Sequence, residues 1–418
     1  MSKKKELIPE LRFHEFKNEK PWKIISVSDV CDIYRGSTFS KADIDENGIK
    51  PCIHYGELFT KYNEVISTIY SRTDKGDGFK SEAGDVLMPS SDVTPNGLAK
   101  ASAIAFSNVI LGGDINILRQ KKSINSIFLS YLLNHSKNEI IKLVSGTTVK
   151  HIYPSQIATL QLPIAHSGLE QQKIASCLSA LDEVITTESQ KLELLKDHQK
   201  GLMQNLFPQD GEKVPKFRFK EFEKDGEWKE KKLDSLTDKI GDGIHATPKY
   251  DVSGKFYFIN GNNLIDGKIV VDDKTKRVST SEFEIHKKDL TEKTILLSIN
   301  GTIGNVALYN NEKVVLGKSA CYLIPTIELN NVFLYYSLQS PKISGYFISE
   351  LTGSTIKNLS LKSIRETAIS LPFEKEQQKI ASCLSALDEL ITAQTEKIEQ
   401  LKLHKKGLMQ NLFPKMND

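Results

Sequence analysis

A 38-residue segment occurs twice in this chain, almost unchanged, and that duplication limits the open folds more than any other feature. QQKIASCLSALDEVITTESQKLELLKDHQKGLMQNLFP at 171–208 returns as QQKIASCLSALDELITAQTEKIEQLKLHKKGLMQNLFP at 377–414, with nine of the 38 aligned positions different. Fainter echoes come before each copy. Pro9, Arg12, Phe13, Glu15, Phe16, Trp22 and Lys23 return as Pro215, Arg218, Phe219, Glu221, Phe222, Trp228 and Lys229, and SGTTVKHI (145–152) answers TGSTIKNL (352–359). A repeat of this kind predicts two copies of one unit, each a variable body followed by a shared tail.

The tails predict long helices. Alternating steps of four and three select Ile174, Leu178, Leu181, Ile185, Glu188, Leu192, Leu195, Gln199, Leu202 and Leu206. In the second copy they select Ile380, Leu384, Leu387, Ile391, Gln394, Ile398, Leu401, Lys405, Leu408 and Leu412. Eight of the ten positions are apolar in each, and the polar exceptions fall at the same two places. A seam with this period, held over about five heptads, indicates a coiled coil. Ser167 and Glu170 fit a capping box at the first start, and Pro208 and Pro414 mark the stops. A helix of about 36 residues rises about 54 Å. The first would carry the chain away from the first body, so the second pairs with it only by running back, antiparallel.

The bodies read as mixed α and β. Apolar runs at Val86-Leu87-Met88, Phe256-Tyr257-Phe258-Ile259 and Ile295-Leu296-Leu297 stand between clusters of Gly, Asn, Asp and Pro, as strands joined by loops do. FLSYLL (128–133) and FLYYSL (333–338) open short helices at matching places. The predicted fold is therefore α+β: two mixed α/β domains joined by a long antiparallel two-helix coiled coil. The expected boundaries are 1–168 and 209–374 for the bodies, with 169–208 and 375–418 for the helices. The loops GSTFSKADIDENG (36–48) and GDGIHATPKY (241–250) have nothing in common, which suits a binding surface that changes its target on a constant frame.

Several function classes fall away. The chain contains no phosphate-binding G-x-x-x-x-G-K-[S/T], no H-E-x-x-H and no G-x-S-x-G. None of its 14 prolines adjoins another, so the Pro-Pro-aromatic segment of amino-methyltransferases is missing. Gly241, Gly243 and Ala246 imitate a dinucleotide fingerprint, but Pro248 stands where its helix would propagate. The five cysteines form no C-x-x-C pair and read as reduced thiols, and no apolar run approaches the roughly 18 residues of a membrane span, so a cytoplasmic protein without metal is expected. A net charge of +3 does not by itself demand nucleic acid. Any basic surface must be local, and the first tail, with 4 basic and 6 acidic groups over 169–208, suits protein contact better than phosphate contact.

The paired tails, the two unlike bodies and the G-[S/T]-T-[V/I]-K before each tail resemble the specificity subunit of type I restriction-modification systems. GSTFSKADI with PCIHYGELFT (51–60), and DGIHATPKY with LLSINGTIGNVAL (296–308), resemble that family's target-recognition domains. The resemblance implies a subunit with no catalytic activity and no cofactor of its own. Each body would read one half of a bipartite double-stranded DNA sequence, while the helices set the spacing and dock two adenine-specific methyltransferase subunits. Restriction and translocase subunits would join these, and the methyl donor and Mg-ATP would belong to the partners. The candidate DNA-binding residues are Ser37, Thr38, Ser40, Lys41, His54, Tyr55, Ser90, Ser91, Thr94, Asn96 and Lys150 in the first body. In the second they are Asp242, His245, Thr247, Lys249, Asn262, Asn263, Asn300, Thr302 and Lys357. Short polar side chains and lysines in loops are the mixture that reaches base edges and phosphates. The alternative is an adaptor whose coiled coil joins two protein- or carbohydrate-binding domains.

Overall fold

The computed structural model describes residues 6–37, 39–121, 124–353 and 357–416. It divides into two units, residues 1–189 with 396–418 and residues 190–395, so each unit takes part of both long helices.

In the first unit a five-stranded sheet runs in the order Cys31–Arg35, Ile115–Gln120, Val86–Pro89, Ser102–Ile104, Val65–Ile66. Beside it lies a four-stranded sheet of Ser71–Thr73, Lys50–Ile53, Ile110–Leu111 and Phe79–Lys80. Strand Val86–Pro89 is apolar at every position because both its faces are covered. Val86 and Met88 enter the core shared with helix Ser126–His135, whereas Leu87 enters the core beneath the smaller sheet. Side chains that alternate in a strand feed two cores in this way. The second unit repeats the arrangement: Ile295 and Leu297 face helix Asn331–Leu338, and Leu296 faces the other core. Asn125 and Asn330 start the matching short helices, each accepting at 2.9 Å from the backbone N–H of Phe128 or Phe333.

The long helices run Gly168–Asn205 and Glu374–Leu412. Every seam position is buried or half-buried in both, the polar ones included. In the first unit Ile174, Ala175 and Leu178, which open the first helix, share a core with Leu412 and Phe413, which close the second. In the second unit Leu206 and Phe207 share a core with Ile380, Ala381 and Leu384. The two helices are thus antiparallel.

The faint echo before each tail has a structural cause. Glu170, almost fully buried, takes the Arg12 guanidinium through Nε at 2.7 Å and a terminal nitrogen at 2.8 Å; Glu376 takes Arg218 at 2.8 and 2.7 Å. A buried carboxylate needs such a partner. The expected capping box is accordingly only half present. Ser167 Oγ accepts from the Glu170 N–H at 3.5 Å, but the Glu170 side chain goes to Arg12 instead. Gln171 and Gln377 tie each helix to its body by accepting from the backbone N–H of Asn125 at 3.0 Å and Asn330 at 2.9 Å.

Candidate nucleic-acid interface

In the first body, strand Cys31–Arg35 ends where the chain crosses the loop after Ile110–Leu111. The crossing is so close that a Cβ on Gly36 would lie 1.9 Å from the Gly112 carbonyl oxygen. Beyond it the Ser37 N–H donates to Leu111 O at 3.1 Å, the Gly112 N–H to Ile53 O at 3.0 Å and the Ser90 N–H to Asp114 O at 2.9 Å. Ile152 N–H donates to Ser90 O at 3.1 Å, and Ser145 and His151 exchange two bonds. Five separate segments are thereby gathered at one end of the sheets: 35–37, 53–57, 90–96, 112–114 and 145–151.

The second body repeats these bonds one for one. Ile244 N–H donates to Leu316 O at 2.7 Å, Gly317 N–H to Ile259 O at 2.8 Å and Ile299 N–H to Ser319 O at 3.0 Å. Leu359 N–H donates to Ile299 O at 2.9 Å, and Thr352 and Asn358 exchange two bonds. A Cβ on Gly243 would lie 2.1 Å from Leu316 O, so this glycine marks the same crossing. His54 and Asn260 correspond, each donating its N–H at 2.9 Å to the side chain three residues on, Glu57 or Asn263.

On this frame the sequence-selected residues divide. Lys41, Thr94, Asn96, His245, Thr247, Lys249, Asn262, Thr302 and Lys357 are exposed at the tips; His54, Tyr55, Lys150, Asp242 and Asn300 are half-buried there. Lys150 stands opposite Asp92 in a short antiparallel pair that brings the 145–151 hairpin against the 91–96 segment. Asn300 bridges Asn358 at the matching place. Thr38 lies outside the described residues.

Five of the candidates are covered or have their polar groups engaged within the body. Ser90 and Ser91 are buried, at 2% and 9% exposure, because this segment pairs with the hairpin instead of forming an open loop. Ser37 Oγ accepts from the Phe79 N–H at 3.0 Å and closes the strand end. Both ends of the Asn263 amide are engaged, Oδ1 by Asn260 N–H and Nδ2 by Val270 O. Ser40 is exposed, but its N–H and its hydroxyl both donate to Asp43, which caps the short turn Lys41–Asp43. Lys121 pairs with Asp32 beside the opposite end of strand Cys31–Arg35.

The chemistry at the two tips differs. His54 Nδ1 accepts from the Gly56 N–H at 3.2 Å, so a neutral ring carries its proton on Nε2 and offers a donor. Burial pushes the His54 pKa down, against the pull of Glu57 and Asp114, which favours that neutral form. In the second body His245 is three-quarters exposed and its Nε2 lies 2.8 Å from Asp242 Oδ2. Arg35 and Asp114 in the first body, and Asn260 and Ser319 in the second, stand at the same tips without being among the sequence-selected candidates. Their signal was present: Leu111-Gly112-Gly113-Asp114 and Leu316-Gly317-Lys318-Ser319 are a further echo, at a shift of 205.

Comparison with known proteins agrees with this architecture. The family model for the type I restriction modification DNA specificity domain matches twice, over residues 19–197 and 225–403. The MjaVIII type I restriction enzyme specificity subunit of Methanocaldococcus jannaschii is 22% identical over 413 residues, covering 96% of this chain and 94% of the relative. The specificity subunit assigned to the MjaX enzyme of the same organism is 24% identical over 409 residues, covering 94% and 92%. Among solved structures, the S subunit of a type I restriction-modification system from M. genitalium shares the fold with a TM-score of 0.63 at 19% identity, over 98% of this chain and all of that one. The chain belongs to the type I restriction-modification DNA specificity family. Its role is that of a non-catalytic specificity subunit, and an adaptor for sugars or other proteins is not favoured. Among the described residues no helix is long and apolar enough to cross a membrane.

Proposed function

We propose that each body, 1–168 and 209–374, reads one half of a bipartite duplex DNA sequence through the tip described above. The long helices would hold the two readers at a set separation and dock two adenine-specific methyltransferase subunits, with restriction and translocase subunits joining them in the cytoplasm. The observation that carries this reading is the repeated backbone frame with unlike side chains. One set of hydrogen bonds presents His54, Thr94, Asn96, Lys41 and Lys150 in one body, and Asn262, Asn300, His245, Thr247, Lys249 and Lys357 in the other. A frame that stays while its exposed polar groups change is what reading two different half-sites requires. Most of the helices' charged residues lie outward, with Glu170, Asp182, Glu188, Glu376, Asp388 and Lys405 the buried or half-buried exceptions, which suits a protein partner along their outer faces.

Mobility-shift measurements on the chain co-assembled with its methyltransferase partner test the reading. Binding restricted to a sequence in two separated parts, and falling steeply as salt rises because phosphate counterions are released, is expected. Binding indifferent to sequence would count against it.

A further inference from the structure

We infer that Arg35 reads a base directly, selecting guanine at one position of the half-site recognised by the first body, with Asp114 as its positioning residue. The inference rests on the chain acting as a DNA specificity subunit.

Arg35 is the last residue of strand Cys31–Arg35, paired with Asn116 immediately before the Gly36 crossing. Its Nε donates to Gly113 O at 3.0 Å and a terminal nitrogen donates to Asp114 Oδ1 at 3.0 Å. Two of the five N–H donors of a guanidinium are thus engaged and three remain. The side chain is 46% exposed, so the fork is fixed at its base and open at its end. Asp114 is fixed in turn: its carbonyl accepts from the Ser90 N–H at 2.9 Å and its Oδ1 from Ser90 Oγ at 3.4 Å. Only guanine offers two acceptors, O6 and N7, side by side in the major groove, and a guanidinium held by one edge matches them.

The neighbouring carboxylate decides between base and phosphate. A cation meant to hold phosphate gains nothing from an acidic side chain 3.0 Å away, which cancels its charge and repels the backbone. A base-reading fork gains orientation from it. The second body supplies the contrast. Asp242 faces Cys321 where Arg35 faces Asn116, and Ser319 occupies the place of Asp114. The same address therefore carries a cationic fork in one reader and an acceptor, bound to His245, in the other.

The test uses the full chain with its methyltransferase partner. The methylated motif is found by single-molecule sequencing, and Kd is measured for a duplex bearing it and for every single-base variant of that duplex. With Arg35→Ala, one guanine in one half-site should lose a preference of about 5- to 150-fold, while the other half-site keeps all of its preferences and so reports an intact fold. Arg35→Lys should keep most of the affinity but lose most of that preference. Asp114→Ala should relax the same base, and Asp114→Asn, which keeps an acceptor oxygen in place, should restore much of it. A uniform loss across all duplexes, an unchanged motif, or full rescue by Arg35→Lys would overturn the inference. If the unaltered complex recognises no bipartite motif, the reading beneath it fails as well.

Discussion

The tips of the two bodies share their backbone hydrogen bonds but differ in most of the side chains those bonds support, Ile53, Leu111 and Gly112 being matched by the identical Ile259, Leu316 and Gly317. Ser90 and Ile299 accept and donate the same main-chain bonds, as do Asp114 and Ser319, yet one is a carboxylate and the other a hydroxyl. Divergence is free where a side chain is held only by its own backbone, and constrained where the side chain is itself the fastener. Arg12 with Glu170 and Arg218 with Glu376 are such fasteners, and they are identical in both bodies. The comparison teaches that the frame is maintained by a few buried polar contacts and by apolar strands, leaving the reading surface open to change.

The largest expected effect tests the shared part. Arg12→Ala and Arg218→Ala each strand a buried glutamate, and each should cost about 3–5 kcal/mol in denaturant unfolding of the full chain. Nearly equal losses would support one frame used twice; a loss near zero in either would break the parallel.

Next is a place where the fasteners differ. In the first unit Lys405 meets Asp182 at 2.7 Å and Glu64 at 2.9 Å, and Tyr131 donates to the same aspartate. The second unit has Gln199 donating to Asp388, which Tyr336 also engages. Lys405→Gln would leave two partly buried carboxylates facing each other, at a cost of about 1–3 kcal/mol. The cost should depend on pH. Burial holds the Asp182 carboxyl above its usual range, while Lys405 and Tyr131 pull it down. A raised acid favours the fold at low pH, and its contribution is lost as pH rises through the folded pKa. Lys405 offsets more negative charge once Asp182 is ionised beside Glu64. Unfolding measured at several pH values should therefore show the variant's deficit smaller near pH 4 than near pH 8; a flat deficit would mean packing, not charge, is at work.

A smaller effect sharpens the comparison at the buried indoles. Trp22 Nε1 donates to Glu170 at 3.3 Å, whereas Trp228 Nε1 has no hydrogen-bond partner. Replacement by Phe should be costlier at Trp22 than at Trp228 by about 0.5–1.5 kcal/mol. Equal losses would show that the long bond contributes nothing.

The helices were legible in the sequence because their period is a local property, and even the polar seam residues Glu188, Gln199, Gln394 and Lys405 lie on the inner face. Strands Val86–Pro89 and Ile295–Ser298 were equally plain, since a continuous apolar run needs cover on both sides. The tips were less legible. Ser90 and Ser91 follow an apolar strand as loop serines do, and only the distant hairpin Ser145–His151 shows that they are covered. Arg35 was passed over because it ends a strand, one residue before the glycine that looked like the start of the functional loop. Exposure at a loop depends on which segments tertiary structure brings beside it, and that is not written in any one of them.

The central claim is that two readers are kept apart by the helix pair, and its most direct measurement is the methylated motif of a variant with seven residues inserted at matching points of both long helices. One heptad adds about 10.5 Å of rise, close to three base pairs at about 3.4 Å each. The account predicts a motif with both half-sites unchanged and a spacer longer by about three base pairs. A variant that methylates the original motif with the original spacer would contradict it.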